Sequence, residues 1–158
     1  MLGIPANKKE HRNRNKLSHT MSANTITIVV PVEGKPYRTS NTNTLRSLVG
    51  GTICDMMGRG KVVHPMFWQE HAEWNVVAEI YKKVADKKMK VKCYGNDEGS
   101  MTCSQNMAVF TCDQFGTSPT FGNLVLVINK KQADKVKGIK SLPYYKDQTA
   151  MELAYEEE

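Results

Sequence analysis

No run of apolar residues in this chain approaches the roughly 18 that a membrane-spanning helix needs. The opening MLGIPANKKEHRNRNK carries charge without the hydrophobic stretch of a secretory leader. No two of the four cysteines, Cys54, Cys93, Cys103 and Cys112, stand at Cys-x-x-Cys spacing, which excludes a zinc ribbon or redox dithiol of the usual kind. These absences predict an intracellular protein whose thiols stay reduced, most of them buried as small hydrophobes.

Catalytic frameworks are missing as well. Gly58 to Lys61 reads GRGK, a turn without the GxxxxGK[ST] or GxGxxG frame that cradles phosphates. There is no Gly-x-Ser-x-Gly to present a serine nucleophile. The triplet His71-Ala72-Glu73 matches the start of a zinc deaminase site, which also needs a Pro-Cys-x-x-Cys on the next helix. The closest pair, Cys103 and Cys112, is too widely spaced for that, and one imidazole does not hold a zinc ion. The sequence therefore predicts that His71 packs on an apolar stripe with Trp74 and Tyr81. A Cys–His nucleophile using His64 or His71 lacks anything to lower a thiol pKa except Lys92 beside Cys93, and strand neighbours point to opposite faces. No catalytic residue, metal ligand or cofactor is expected.

Acidic residues are the scarcer charge, 16 against 22 basic ones, for a net charge of +6. The basic residues cluster. Lys8, Lys9, Arg12, Arg14 and Lys16 crowd the start, Lys82 to Lys92 hold a second group that includes Lys87, Lys88 and Lys90, and a third runs from Lys130 to Lys146. Such clusters suit a polyanion, although a solvated surface has the same composition. No RNP1 strand, KH loop or zinc finger accompanies them, and with Trp74 and Tyr81 on the core stripe, Tyr94 is the only other aromatic near the second cluster. Nucleic-acid binding would therefore be electrostatic and salt-sensitive.

Residues 1–23 are poor in large apolar side chains and are expected to be a disordered basic arm. Met21 stands just before the first strand, so the folded unit is expected to begin there, with residues 1–20 an extension or an upstream start. Residues 24–130 read as one domain. TITIVVPV and NLVLVIN are strands, the latter central, and a turn at Glu33 to Pro36 returns an edge strand over Tyr37 to Asn41. Thr42 to Gly51 reads as a helix capped by Thr42, Asn43 or Thr44 and ended by Gly50. Apolar spacing places the longest helix from Pro65 to Asp86. Strands follow at Met89 to Gly95 and Asn106 to Cys112, then a loop over DQFGTSPTFGN. Lys131 to Glu158 reads as a charged tail, with a short helix turning Ala133, Val136 and Ile139 inward. The fold class predicted is α+β, a mixed, mainly antiparallel sheet of four to six strands with two helices on one face.

The most distinctive stretch is NDEG with the strand that follows. Asn96 or Asp97 is expected to make an Asx turn, and Gly99 to take a positive φ. In functional terms Asn96, Glu98, Gly99 and Asn106 would form a polar rim for a partner or ligand. These motifs also carry a resemblance. Leu48 to Gly51 at a helix end, the Asn96-x-Glu98-Gly99 turn, Asn106 and Ala108, and Gly122 with Val125 and Val127 resemble a family of uncharacterised phage, bacterial and algal-virus proteins. Two departures stand out: Ala108 sits one residue closer to Asn106 than in the family pattern, and the segment 65–86 is longer than usual. The resemblance covers about residues 25–129 and implies a small α+β domain in a viral or mobile-element setting, with no activity attached. Together these features predict a non-enzymatic accessory protein that binds another protein in the host cytoplasm or a virion, as a minor structural component or an inhibitor of host machinery. The competing prediction is a nucleic-acid-associated protein using the basic arm and lysine clusters.

Overall fold

The computed structural model describes residues 24–56, 61–65, 72–112 and 116–156. Strands β1 (Thr25–Val30) and β8 (Leu124–Asn129) pair antiparallel along their full lengths, from Thr25 opposite Asn129 to Val30 opposite Leu124. Around them β3 (Ile53–Asp55), β5 (Lys92–Asn96), β2 (Tyr37–Thr39) and β9 (Tyr144–Tyr145) complete a six-stranded sheet of order β3-β5-β8-β1-β2-β9. Only the β2–β9 pair is parallel. A smaller antiparallel sheet of order β4-β6-β7 is made by β4 (Lys61–Pro65), β6 (Gln105–Cys112) and β7 (Gly116–Phe121). The α+β class and the mixed, mainly antiparallel sheet are as predicted.

The helices lie on both faces of the large sheet rather than on one. Alternation along a strand sends successive side chains to opposite faces. Ile28, Val30, Leu124, Leu126 and Ile128 join α2 (Ala72–Ala85), whose Trp74, Val77, Ile80 and Tyr81 are buried with them. Val29 and Val125 point the other way, into a cluster with Leu45, Leu48 and Val49 of α1 (Leu45–Val49) and Met151 of α5 (Gln148–Glu156). Burial on both sides explains the nearly unbroken apolar run of β8 and the apolar stretch Ile28 to Val30 of β1. Helix α1 begins where the Thr44 side chain accepts from Ser47 N at 3.1 Å and ends at Gly50, φ 79°. A cap of this kind contributes about 1 kcal/mol.

Several expectations are corrected. Pro65 closes β4 instead of opening the long helix, which is described from Ala72. The Gly/Pro-rich loop is largely strand β7, at the edge of the small sheet, where Pro119 costs no central ladder bond. The segment after Lys130 is no tail. Helix α4 (Lys130–Ala133) and a 3-10 turn (Lys137–Ser141) bury Ala133, Val136 and Ile139, as the short-helix expectation had it. Leu142 and Met151 are buried too, and β9 covers β2, which is therefore not the edge strand. The domain thus extends through α5. Its start is set by Asp147, whose carboxylate accepts from Ala150 N at 2.8 Å, and its end is held by Tyr155, whose hydroxyl accepts from Lys35 N at 2.8 Å. The basic arm at residues 1–23 lies outside the described residues, as does the stripe position of His71.

Candidate functional site

The antiparallel pairing of β5 with β8 places the first residue of one beside the last residues of the other: Lys92 sits opposite Val127. The loop that leads into β5 and the helix that leaves β8 therefore meet at one end of the sheet. They are bonded there. Lys135 Nζ donates to the Lys88 carbonyl oxygen at 2.7 Å, and Lys90 N donates to Gln132 Oε1 at 3.3 Å. Lys130 N donates to Asn24 O at 2.9 Å, so the chain preceding β1 joins the fold at the same place.

The charge gathered there is open to solvent. Lys87, Lys88 and Lys90 of the loop and Lys130, Lys131 and Lys135 of the α4 region are all exposed, and Lys137 and Lys140 follow on the 3-10 turn. Asp86 and Asp134 are the acidic residues among them, and Asp134 lies 3.8 Å from Lys140 in a pair exposed enough to contribute little. Helix α2 ends in a Schellman motif, with Lys88 N bonded to Lys83 O and Lys87 N to Val84 O. Lys87 takes the left-handed position of that motif at φ 60°, where glycine is the usual occupant. A cation is thus kept at a backbone position that disfavours any side chain.

The opposite end of the sheet has the opposite character. Glu33, Asp97, Glu98 and Glu152 are exposed around the β1–β2 turn, the end of β5 and α5. A cleft of about 390 Å³ lies here, between the turn and α5, and a second of about 170 Å³ lies beside Asn96, Gly99 and Phe121. Two amides of the larger cleft, Asn123 and Gln148, are already engaged. Asn123 Oδ1 accepts from Val32 N at 3.1 Å, Asn123 Nδ2 donates to Leu48 O, and Gln148 Nε2 donates to Glu152 Oε1 at 3.0 Å.

The rim expected of Asn96, Glu98, Gly99 and Asn106 does not form. Asn106 is buried, and every polar atom of its amide is used: Nδ2 donates to Val30 O and Gly122 O at 3.0 and 2.9 Å, and Oδ1 accepts from Ala108 N. It ties the end of β1 to the turn before β8 and to β6. Gly99 is buried at the start of α3 (Gly99–Thr102) and lacks the expected positive φ. Its requirement is space, since a Cβ there would stand 2.7 Å from the Phe121 carbonyl oxygen. Asn96 does make the Asx turn, accepting from Glu98 N at 2.9 Å, and donates to Val49 O. Glu98 alone of the four is exposed. Beside it Met101 is 84 % exposed.

Burial works against a thiolate in the core. It pushes the Cys93 thiol up to about 12, with Asp55 and Cys54 adding to the effect and the Tyr81 hydroxyl opposing it. Tyr81 and Tyr37 are raised chiefly by burial, and neither hydroxyl makes a geometrically sound hydrogen bond. Among the described residues no three of His, Cys, Asp or Glu gather as metal ligands, and no helix is long and apolar enough to cross a membrane. His71 and the arm residues Lys8, Lys9, Arg12, Arg14 and Lys16 lie outside the described residues.

No family model, curated protein or solved structure matches the chain. The motif resemblance to phage, bacterial and algal-virus proteins finds no support in these comparisons.

Proposed function

We propose that this is a non-enzymatic accessory protein that binds the phosphate backbone of nucleic acid through its lysine-bearing end. One observation carries the proposal: two lysine segments far apart in sequence are bonded together at one end of the sheet, through Lys135 and Lys88. Exposed cations on rigid elements bind phosphates with little ordering cost, and counterion release drives the association. The buried Cys93, its thiol pushed up to about 12, is unsuited to nucleophilic work. The resemblance of the motifs at Leu48 to Gly51 and Asn96 to Gly99 favours a phage-type or viral protein acting in the host cytoplasm.

Lysine acetylation footprinting tests the proposal. With an oligonucleotide bound, Lys87, Lys88, Lys90 and Lys131 should be protected while Lys35, at the other end, reacts as in the free protein. Equal protection at both ends, or none, would contradict it.

A second function, docking on a protein partner, is favoured by a different feature. Met101 projects from α3 beside Glu98 and the smaller cleft, and flexible exposed methionines suit protein contacts. Affinity purification from native cells with the wild type and Met101→Glu would recover a partner with the first and lose it with the second. Identical recovery would exclude this surface.

A further inference from the structure

We propose that the lysine-bearing end takes single-stranded nucleic acid in preference to duplex, with Tyr144 as the platform on which an unpaired base stacks. This rests on the nucleic-acid assignment above. Among the described residues, the exposed large hydrophobic side chains are Met101, Leu153 and one aromatic, Tyr144, at 55 %. Its neighbour Tyr145 turns inward, against Tyr37 at a centroid separation of 5.5 Å and Tyr155 at 6.3 Å. Tyr144 has no ring against it among the described residues.

The register shows which way Tyr144 points. Arg38 pairs with Ile28 on one side and with Tyr144 on the other. Residues paired across a ladder share a face, and Ile28 faces the α2 layer, where α4 and the 3-10 turn also pack. Tyr144 and Arg38 therefore stand on the face over which the lysines of α4 and the turn are laid. Arg38 N bonds to Pro143 O at 2.8 Å and Arg38 Nε to Leu142 O at 3.0 Å, so the strand that carries Tyr144 is fixed, with a guanidinium beside it. The exposed Lys140 and Lys146 flank it in the chain, and Lys131 and Lys135 precede them.

Cations that track a backbone next to an accessible aromatic ring are the two components of single-strand recognition. Base–aromatic stacking is worth about 1–3 kcal/mol per base on alanine substitution. In duplex the base faces are covered, so the ring has nothing to stack on and only the phosphates are bound.

The test uses the full chain and fluorescence anisotropy with labelled oligothymidylate and a hairpin duplex of equal charge. The wild type should bind the single strand more tightly. Tyr144→Ala should weaken that binding at least about five-fold and leave duplex affinity unchanged, while Tyr144→Phe should bind as the wild type does. A Tyr144→Ala protein that binds the single strand normally, or that loses both ligands equally, overturns the inference. So does a wild type that prefers duplex. If lysine substitutions weaken binding while Tyr144→Ala does not, the phosphate-binding proposal survives without the stacking one. If the wild type binds neither ligand, both fall.

Discussion

Lys135 Nζ donates to the carbonyl oxygen of Lys88 at 2.7 Å, across 47 residues of sequence. The bond brings like charges together, so it needs support from the elements that carry them. The support is the burial of Met89 on one segment and Ala133 and Val136 on the other, all within one apolar cluster. Packing thus fixes where the two lysine segments meet.

Lys87 carries a backbone cost of its own. At φ 60° a side chain is strained by roughly 1–2 kcal/mol, which glycine escapes at some entropic cost. Lys87→Gly should raise the free energy of unfolding in urea by about 0.5–1 kcal/mol while weakening oligonucleotide binding. Unchanged or lower stability would contradict the left-handed assignment.

Asn106 is a structural bracket, and its removal leaves buried carbonyls and an amide without partners. Asn106→Ala should cost about 2–4 kcal/mol, from unsatisfied groups and lost packing together. Whatever protein remains folded should bind its ligand with wild-type affinity. Intact stability with lost binding would restore Asn106 as a contact residue.

Stability should also fall in alkali. The Cys93 thiol is pushed up from its ordinary 9.0 to about 12 in the fold. Between those values the unfolded chain has lost a proton that the folded protein keeps, so rising pH favours unfolding. The contribution is complete below about pH 9 and is lost toward pH 12. Urea midpoints should hold level to about pH 8.5 and then decline, and Cys93→Ala should make the decline shallower. Nearby, Tyr81→Phe removes a hydroxyl without a sound partner and should be neutral or stabilising by up to about 1 kcal/mol.

The last helix belongs to the fold. Ending the chain after Asp147 removes buried Met151 and the Tyr155–Lys35 hydrogen bond. A loss of at least about 3 kcal/mol in unfolding free energy is expected. Unaltered stability would mean that α5 contributes nothing.

These features were not equally legible in the sequence. TITIVV and LVLVIN are legible because β-branched and apolar residues dominate a strand buried on both faces. The Thr42-Asn43-Thr44 run and Gly50 mark their helix because an N-cap needs a side-chain acceptor and a left-handed C-cap favours a residue with no Cβ. Strand β7 was hidden, since an edge strand can satisfy its backbone with Gly and Pro in it. The segment after Ile139 reads as tail for a related reason: Leu142 and Met151 stand on short elements that only tertiary contacts hold, and the two-residue parallel pairing of β9 has no local signature. Asn106 stands out in the sequence, but whether a polar residue is rim or bracket depends on burial. The meeting of the lysine groups could have been anticipated by pairing β5 with β8 antiparallel. That step requires knowing which strands are neighbours.

The salt dependence of oligonucleotide affinity tests the central claim most directly. For wild type, log K should fall linearly with log salt concentration. Lys88→Gln with Lys131→Gln should reduce that slope by roughly 0.7–0.9 for each phosphate contact removed, while Lys35→Gln at the acidic end leaves it unchanged. A slope unaffected by the first pair, or reduced equally by Lys35→Gln, would contradict a phosphate-binding end.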